Sequence, residues 1–332
     1  MKLLIQKYVI YIALTAKYIA LTAILVIAVG CDDSSSPTSS PPVSRIQSIP
    51  ATAVKMSPSS DSIPPILYSD EFQDPIPLGN GINTAGAEDS PFILPDGNTM
   101  YFFFTPDGNI PVEKQLFDSV TGIWSSTKVN GEWTEAQRIV LQNNGELSLD
   151  GAECIVGDQM WFASARQGNR RNIDIWIAKF KNGKWADWKN AGELLNVQYE
   201  VGELHVTLDG SEMYFHTQRA GGKGDYDIWI TRLVDGKWQT PENVTEVNTI
   251  GMDGWPCISP DGQELWLTRP YMGTSAIYRA KKFNGKWSEP ELILSQFAGE
   301  PTLDNHGNLY FVHHFFKDNK MIEADIYVTY RK

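Results

Sequence analysis

Apolar and polar residues alternate in short runs through most of this chain. In Asp227-Ile228-Trp229-Ile230-Thr231-Arg232-Leu233 the side chains fall on two faces in turn, which is the period of a β-strand. The runs are cut by pairs such as Asp209-Gly210 and Asp235-Gly236, which tolerate the positive φ of a two-residue hairpin turn. Between residues 204 and 244 the pattern predicts four strands, Leu204–Leu208, Glu212–Thr217, Tyr226–Leu233 and Lys237–Val244.

That block recurs. A Pro-Asp-Gly type turn stands at Pro95-Asp96-Gly97, Leu208-Asp209-Gly210 and Pro260-Asp261-Gly262, with a degenerate form at Asn305-His306-Gly307. An aromatic at the centre of an Ile-Trp or Ile-Tyr strand stands at Trp124, Trp176, Trp229, Tyr278 and Tyr327, spaced 52, 53, 49 and 49 residues apart. A turn glycine followed by Lys/Glu-Trp stands at Trp133, Trp185, Trp238 and Trp287. Three anchors keeping one period of four strands predict an all-β, five-bladed β-propeller with four-stranded blades. The fifth repeat lacks its Gly-Lys-Trp strand, while residues 70–78 carry a spare one with Phe72 in place of Trp287 and Pro75 in place of Pro290. The N-terminal strand is therefore expected to complete the last blade and close the ring, leaving no free sheet edge.

The third repeat carries Glu203, Asp209, Gly210, Tyr214, Phe215, Arg219, Gly221, Gly222, Asp227 and Trp229. This pattern resembles the TolB-type, WD-like β-propeller repeat, and the resemblance covers residues 70–332. It implies the fold, and a role in scaffolding or ligand binding more than in catalysis. The TolB domain itself is usually six-bladed, which weakens any transfer of its own role.

Composition narrows the rest. The formal net charge is −12 and the domain has no basic tract, which argues against a nucleic-acid partner. Lys2, Lys7 and Lys17 precede an apolar run, Tyr18 to Val29, that ends at Ala28-Val29-Gly30-Cys31. Charge, apolar core and small residues before a cysteine form a secretory signal of lipoprotein type, with residues 1–30 removed and Cys31 lipidated. The run is short of the ~20 residues that span a bilayer. Residues 31–65 are rich in Ser and Pro and read as a disordered tether. The domain is expected over 66–332. These features place the protein in a bacterial cell envelope, lipid-anchored and facing the periplasm or the cell surface. Cys154 and Cys257 occupy near-equivalent places in non-neighbouring repeats and read as small buried hydrophobes.

In a four-stranded meander the tight Asp-Gly and Asn-Gly turns fall on one face. The connections between strands two and three, and between repeats, fall on the other. The residues opening each innermost strand lie on that second face. Aligning the turns puts Glu153, Glu203 and Glu300 in register, with Ser90 and Trp255 in the same place elsewhere, and the second strands contribute Arg166, Arg219 and Arg269. Three carboxylates and three guanidinium groups are expected to converge on the channel mouth, with His216 opposite Glu203 and within hydrogen-bond reach of it. The alternative is that these residues are architectural. A mixed polar mouth suits a protein or carbohydrate partner of a monomer, with no cofactor and no metal. A glycan-active enzyme using paired carboxyls, Glu153 and Glu203 first, is the competing expectation. Against it stands the repeat-equivalent placement of these acids. The sequence holds neither Gly-x-Ser-x-Gly nor His-Glu-x-x-His.

Cys31→Ser is expected to abolish palmitate incorporation and to release the protein from membranes. A variant that still sediments with membranes would instead point to an uncleaved N-terminal anchor.

Overall fold

The computed structural model describes residues 44–318 and 320–332. The signal segment and Cys31 lie outside the described residues. The fold is mostly β, built from several antiparallel sheets. In unit one, strands Ala87–Ile93, Thr99–Thr105 and Gly122–Val129 follow in order, with Glu132–Trp133 and Gln137–Arg138 paired outside them. Unit two runs Ser148–Val156, Gln159–Arg166, Asp174–Lys181, Lys184–Asn190. Unit three runs Leu204–Val206, Glu212–Thr217, Asp227–Val234, then the short pair Lys237–Trp238 and Glu242–Asn243. Unit four comprises Gly254–Ile258, Glu264–Tyr271 and Thr274–Phe283, with Lys286–Trp287 and Glu291–Ser295 outside. Unit five has Ala298–Leu303, Leu309–Lys317 and Lys320–Thr329. The first strands of successive units lie against one another, and that of unit five also lies against that of unit one.

The outer strand of unit five comes from the N-terminal part of the chain. Ile76–Pro77 pairs with Tyr327–Val328, and Phe72 bridges to Arg331. Packing follows the same logic. Trp185 meets Tyr101 edge-on, Trp238 meets Trp161 and Trp287 meets Tyr214, each the hairpin tryptophan of one unit against the second-strand aromatic of the unit before. Phe72 meets Trp266 at 5.9 Å and 80°. It thus does in unit five what Trp287 does in unit four. Such edge-to-face pairs add about 0.5–1.5 kcal/mol beyond burial. Cys154 and Cys257 are both free and buried.

A second repeated contact sits under the third-strand aromatic. Arg166 stacks on Trp176 at 4.8 Å and pairs with Asp150 at 2.6 Å. Arg269 stacks on Tyr278 at 4.7 Å and pairs with Asp253 at 2.7 Å. Arg219 stacks on Trp229 at 4.8 Å, but Val201 stands where the other units have an acid. Unit one has no arginine in its second strand. Arg45, from a short helix Arg45–Ser48, takes the place instead. It lies over Phe102, Phe104 and Trp124. It also pairs with the buried Glu88 at 3.3 Å and donates to the Ile82 carbonyl at 2.6 Å.

The expected free tether therefore ends sooner than its composition suggests. Lys55 bridges Glu323 and Asp325, Asp61 holds His313 at 3.0 Å, and Ile66–Leu67 adds a strand to unit four beside Leu294 and Ser295. Residues 44–67 are fastened to the domain because they complete ion pairs that the repeats leave open, which low hydrophobicity does not reveal. Removing one partner of a buried pair costs about 3–5 kcal/mol. Arg45→Ala should lower unfolding stability by roughly 3 kcal/mol in urea titrations, and adding Glu88→Gln should restore part of it. An Arg45→Ala protein as stable as the parent would mean that this segment contributes no fastening.

Candidate functional site

Where the five first strands open, a small cavity lies between them. It is lined by Ser90, Ala152, Glu203, Trp255 and Glu300 among others. Four of these residues are set by the same local device. The ladder between first and second strands slips between Asp89 and Phe92, Gly151 and Cys154, Gly254 and Cys257, and Gly299 and Thr302. Within each slip one non-glycine residue takes a left-handed backbone: Ser90 at φ 46°, Ala152 at 51°, Trp255 at 50° and Glu300 at 53°. A bulge of this kind re-aims a side chain. The left-handed conformation costs roughly 1–2 kcal/mol for an L-residue, so each position holds strain. In unit three the chain stays paired, His216 N–H donating to the Glu203 carbonyl at 3.2 Å.

The register refines one expectation. The residue of unit two equivalent to Glu300 is Ala152, and Glu153 lies one position further on, because the turn there, Val156-Gly157-Asp158, is shorter than Pro-Asp-Gly and alignment on the turn shifts the strand by one residue. Both Ala152 and Glu153 line the cavity. Glu153 is buried, and neither of its carboxyl oxygens bonds to another residue.

The arginines do not converge on the cavity. Arg166 and Arg269 are spent on Asp150 and Asp253 and on the Leu141 and Val247 carbonyls. Arg219 stays on its aromatic neighbours Tyr199 and Trp229. A guanidinium above an indole gains from stacking and from pairing at once, and this outcompetes pointing into the mouth. His216 is opposite Glu203 in the backbone only. Its Nδ1 accepts from the Trp255 N–H at 3.1 Å, and its ring lies 5.0 Å from both Trp255 and Tyr226. Burial lowers its pKa to about 4. An accepting Nδ1 then puts the proton on Nε2.

The remaining acids form one electrostatic cluster. Ser90 Oγ donates to Glu300 at 2.6 Å. His314 Nε2 lies 3.4 Å from Asp89. Burial raises Glu300 well above the ordinary carboxyl range, and the charge of Asp89 adds to this. Burial acts to raise Asp89 as well, but His314, the Ser90 N–H and Glu300 together outweigh it and the pKa is lowered. Burial pushes Glu203 up to about 8, and Asp89 acts in the same sense. The Trp255 indole N–H sits near enough to temper that rise without the geometry of a hydrogen bond. Glu153 is also pushed up to about 8, by burial first and then by Glu203. At neutral pH Glu153 and Glu203 are thus largely protonated, and burial opposes the ionisation of Glu300 beside the Asp89 carboxylate. Among the described residues no group of three His, Cys, Asp or Glu side chains is arranged to hold a metal ion. His205, which sequence reasoning did not single out, lines the same cavity and accepts from the Ile258 N–H at 3.4 Å.

No family model matches the chain, and no curated protein matches it. Similar solved structures include TolB from Acinetobacter baumannii, at 15% identity and a TM-score of 0.46 over 76% of this chain and 56% of that one. An α-L-arabinofuranosidase from Podospora anserina in complex with cellotriose is 10% identical, with a TM-score of 0.45 over 77% of this chain and 95% of that one. The catalytic domain of an α-L-arabinofuranosidase from Coprinopsis cinerea is 9% identical, with a TM-score of 0.48 over 74% and 91%. The chain spans little more than half the length of the TolB it matches. At these scores the likeness carries no argument about the site, which is read from its own residues.

The raised carboxyls have a thermodynamic signature. Glu153 titrates near 8 folded against an ordinary 4.5, so the folded state holds a proton that the unfolded state releases. The contribution is full below about pH 4.5 and fades as pH rises towards 8. Glu153→Gln should therefore flatten the loss of stability between pH 5 and 9, raising the melting temperature at pH 9 and changing it little at pH 5. An unaltered pH slope would mean that Glu153 ionises freely.

Proposed function

We propose that the five units form a closed five-bladed β-propeller, with residues 70–78 completing the last blade. The protein is held at a bacterial membrane by lipidated Cys31 and faces the periplasm or the cell surface. It acts as a binding or scaffolding module for a protein or carbohydrate partner, through the face on which the channel mouth opens. The observation that carries this reading is the mouth itself. Four blades hold a strained bulge at one place, and such strain concentrates at functional sites. The cavity they ring has a volume of only about 50 Å³. A water takes roughly 30 Å³, and small-molecule sites measure about 300–1,000 Å³. A partner is therefore met by the rim and not swallowed.

The rim supplies suitable surface. Ile250 and Met272, on two different connections of this face, are 93% and 88% exposed, and Phe117 is exposed in the long loop after Thr105. The glycan-active alternative draws support from the unlike protonation of Asp89 and Glu300, since acid–base pairs need pKa values pushed apart. A cavity too small for a sugar ring weighs against it.

The test places a photo-crosslinking side chain at Ile250 or Met272 on the mouth face, and at Phe180 or Leu233 on the opposite face, in living cells. Adducts are expected from the first pair, and Glu203→Gln should weaken them several-fold. Adducts confined to Phe180 and Leu233 would overturn the reading. Turnover of aryl glycosides that disappears in both Glu153→Gln and Glu203→Gln would favour the enzyme.

A further inference from the structure

A larger opening lies on the other face, between units four and five, with a volume of about 610 Å³. Its cause is topological. Units one to four join their third and fourth strands by an Asn-Gly or Asp-Gly hairpin, and the hairpin tryptophan covers the unit before. Unit five has no such hairpin. Phe72 covers Trp266 from the N-terminal part of the chain instead. The space a hairpin would fill stays open beside the Pro260-Asp261 turn and the end of the strand Thr274–Phe283. The turn across from it, Asn305-His306-Gly307, also departs from the Pro-Asp-Gly pattern.

The floor of this notch is rigid. Glu71 pairs with Arg279 at 2.6 Å, Arg331 at 3.0 Å and Lys281 at 3.2 Å. Arg331 also reaches Glu264 at 3.2 Å. The notch is lined by the cations Lys281 and Arg331 and the anions Asp261, Glu264 and Asp304, while the Lys282 ammonium turns to the Trp287 ring at 5.0 Å. Lys281 and Arg331 are engaged by Glu71, which leaves the lining little pull on phosphate. It does offer donors and acceptors side by side, with Asn305 and His306 added on one wall and the 65%-exposed ring of Phe283 on the other. Vicinal hydroxyls both donate and accept, and the C–H face of a sugar ring packs on an exposed aromatic. The opening falls within the ~300–1,000 Å³ range of small-molecule sites, and the channel mouth does not.

We propose that the notch between units four and five is a binding site for a neutral oligosaccharide of two or three rings. The site is independent of the channel mouth. Phe283 is the apolar platform, while Asp261 and Asn305 exchange hydrogen bonds with the sugar hydroxyls.

The experiment screens the full chain on a glycan array and titrates the strongest neutral glycan by calorimetry. Binding is expected, with a loss of at least tenfold in Phe283→Ala. That side chain is exposed, so folding should survive, as a thermal melt checks. Asn305→Ala gives a second reading on the opposite wall. Glu203→Gln, on the mouth face, separates this site from the mouth: glycan affinity should hold. No neutral glycan above background, equal affinity in Phe283→Ala and Asn305→Ala, preference for sulfated glycans or peptides, or loss of glycan binding in Glu203→Gln would each overturn the proposal.

Discussion

The structure depends on a cation held flat against the third-strand aromatic of a unit and tied to an acid. Desolvated cation–π contacts reach about 2 kcal/mol, and a buried ion pair is strongly destabilising to break. Units two and four make the whole contact from their own residues. Unit one keeps Trp124 and Glu88 but borrows Arg45. Unit five keeps Tyr327 and sets His313 against it, edge-on at 5.4 Å, with Asp61 as the borrowed acid. The units at the seam of the chain are thus the ones finished by the N-terminal segment. The same segment supplies Phe72 to the packing and Ile76–Pro77 to the hydrogen bonding. Backbone, packing and electrostatics are completed there by one stretch of chain.

This explains what sequence could and could not reveal. The four-strand unit was legible because its turns and aromatics recur at a fixed period, and the strands of unit three fall within a few residues of their expected bounds. The role of Phe72 was legible for the same reason, since a missing element and a spare one match. Arg45 was hidden by its surroundings, being one of two cations, with Lys55, in a Ser/Pro-rich stretch. The available signal was negative: unit one has Pro106 where unit two has Arg166, yet retains Trp124 and Glu88. Register alone points the arginines of the repeat at the mouth, and it takes no account of the partners that compete for them. Trp176 and Asp150 lie closer to Arg166 than the channel does, and the nearer partners win.

The one-residue offset of Glu153 has a different origin. A strand read from its turn is only as good as the turn length, and unit two saves residues there. The consequence is chemical. Ala152 occupies the bulge, and Glu153 lines the cavity beside it with its carboxyl unbonded, where ionisation is opposed by burial. The mouth is accordingly less charged than its acids suggest. The formal charge of −12 counts carboxyls that hold their protons in the folded state.

The two faces differ because completing the last repeat with a strand from elsewhere in the chain cannot reproduce every connection. The mouth face is made by the starts of the first strands, which all units possess, so it is nearly symmetric, strained and narrow. The turn face is made by hairpins, and unit five shares its third strand with an outer strand that reaches it from the opposite direction along the sequence. The asymmetry must then appear on the turn face, beside unit four, which is where the larger opening lies. Among similar units, a surface that is unlike its counterparts needs such a break. The seam supplies it without disturbing the core, because Phe72 and the Glu71 ion pairs close the interior beneath it.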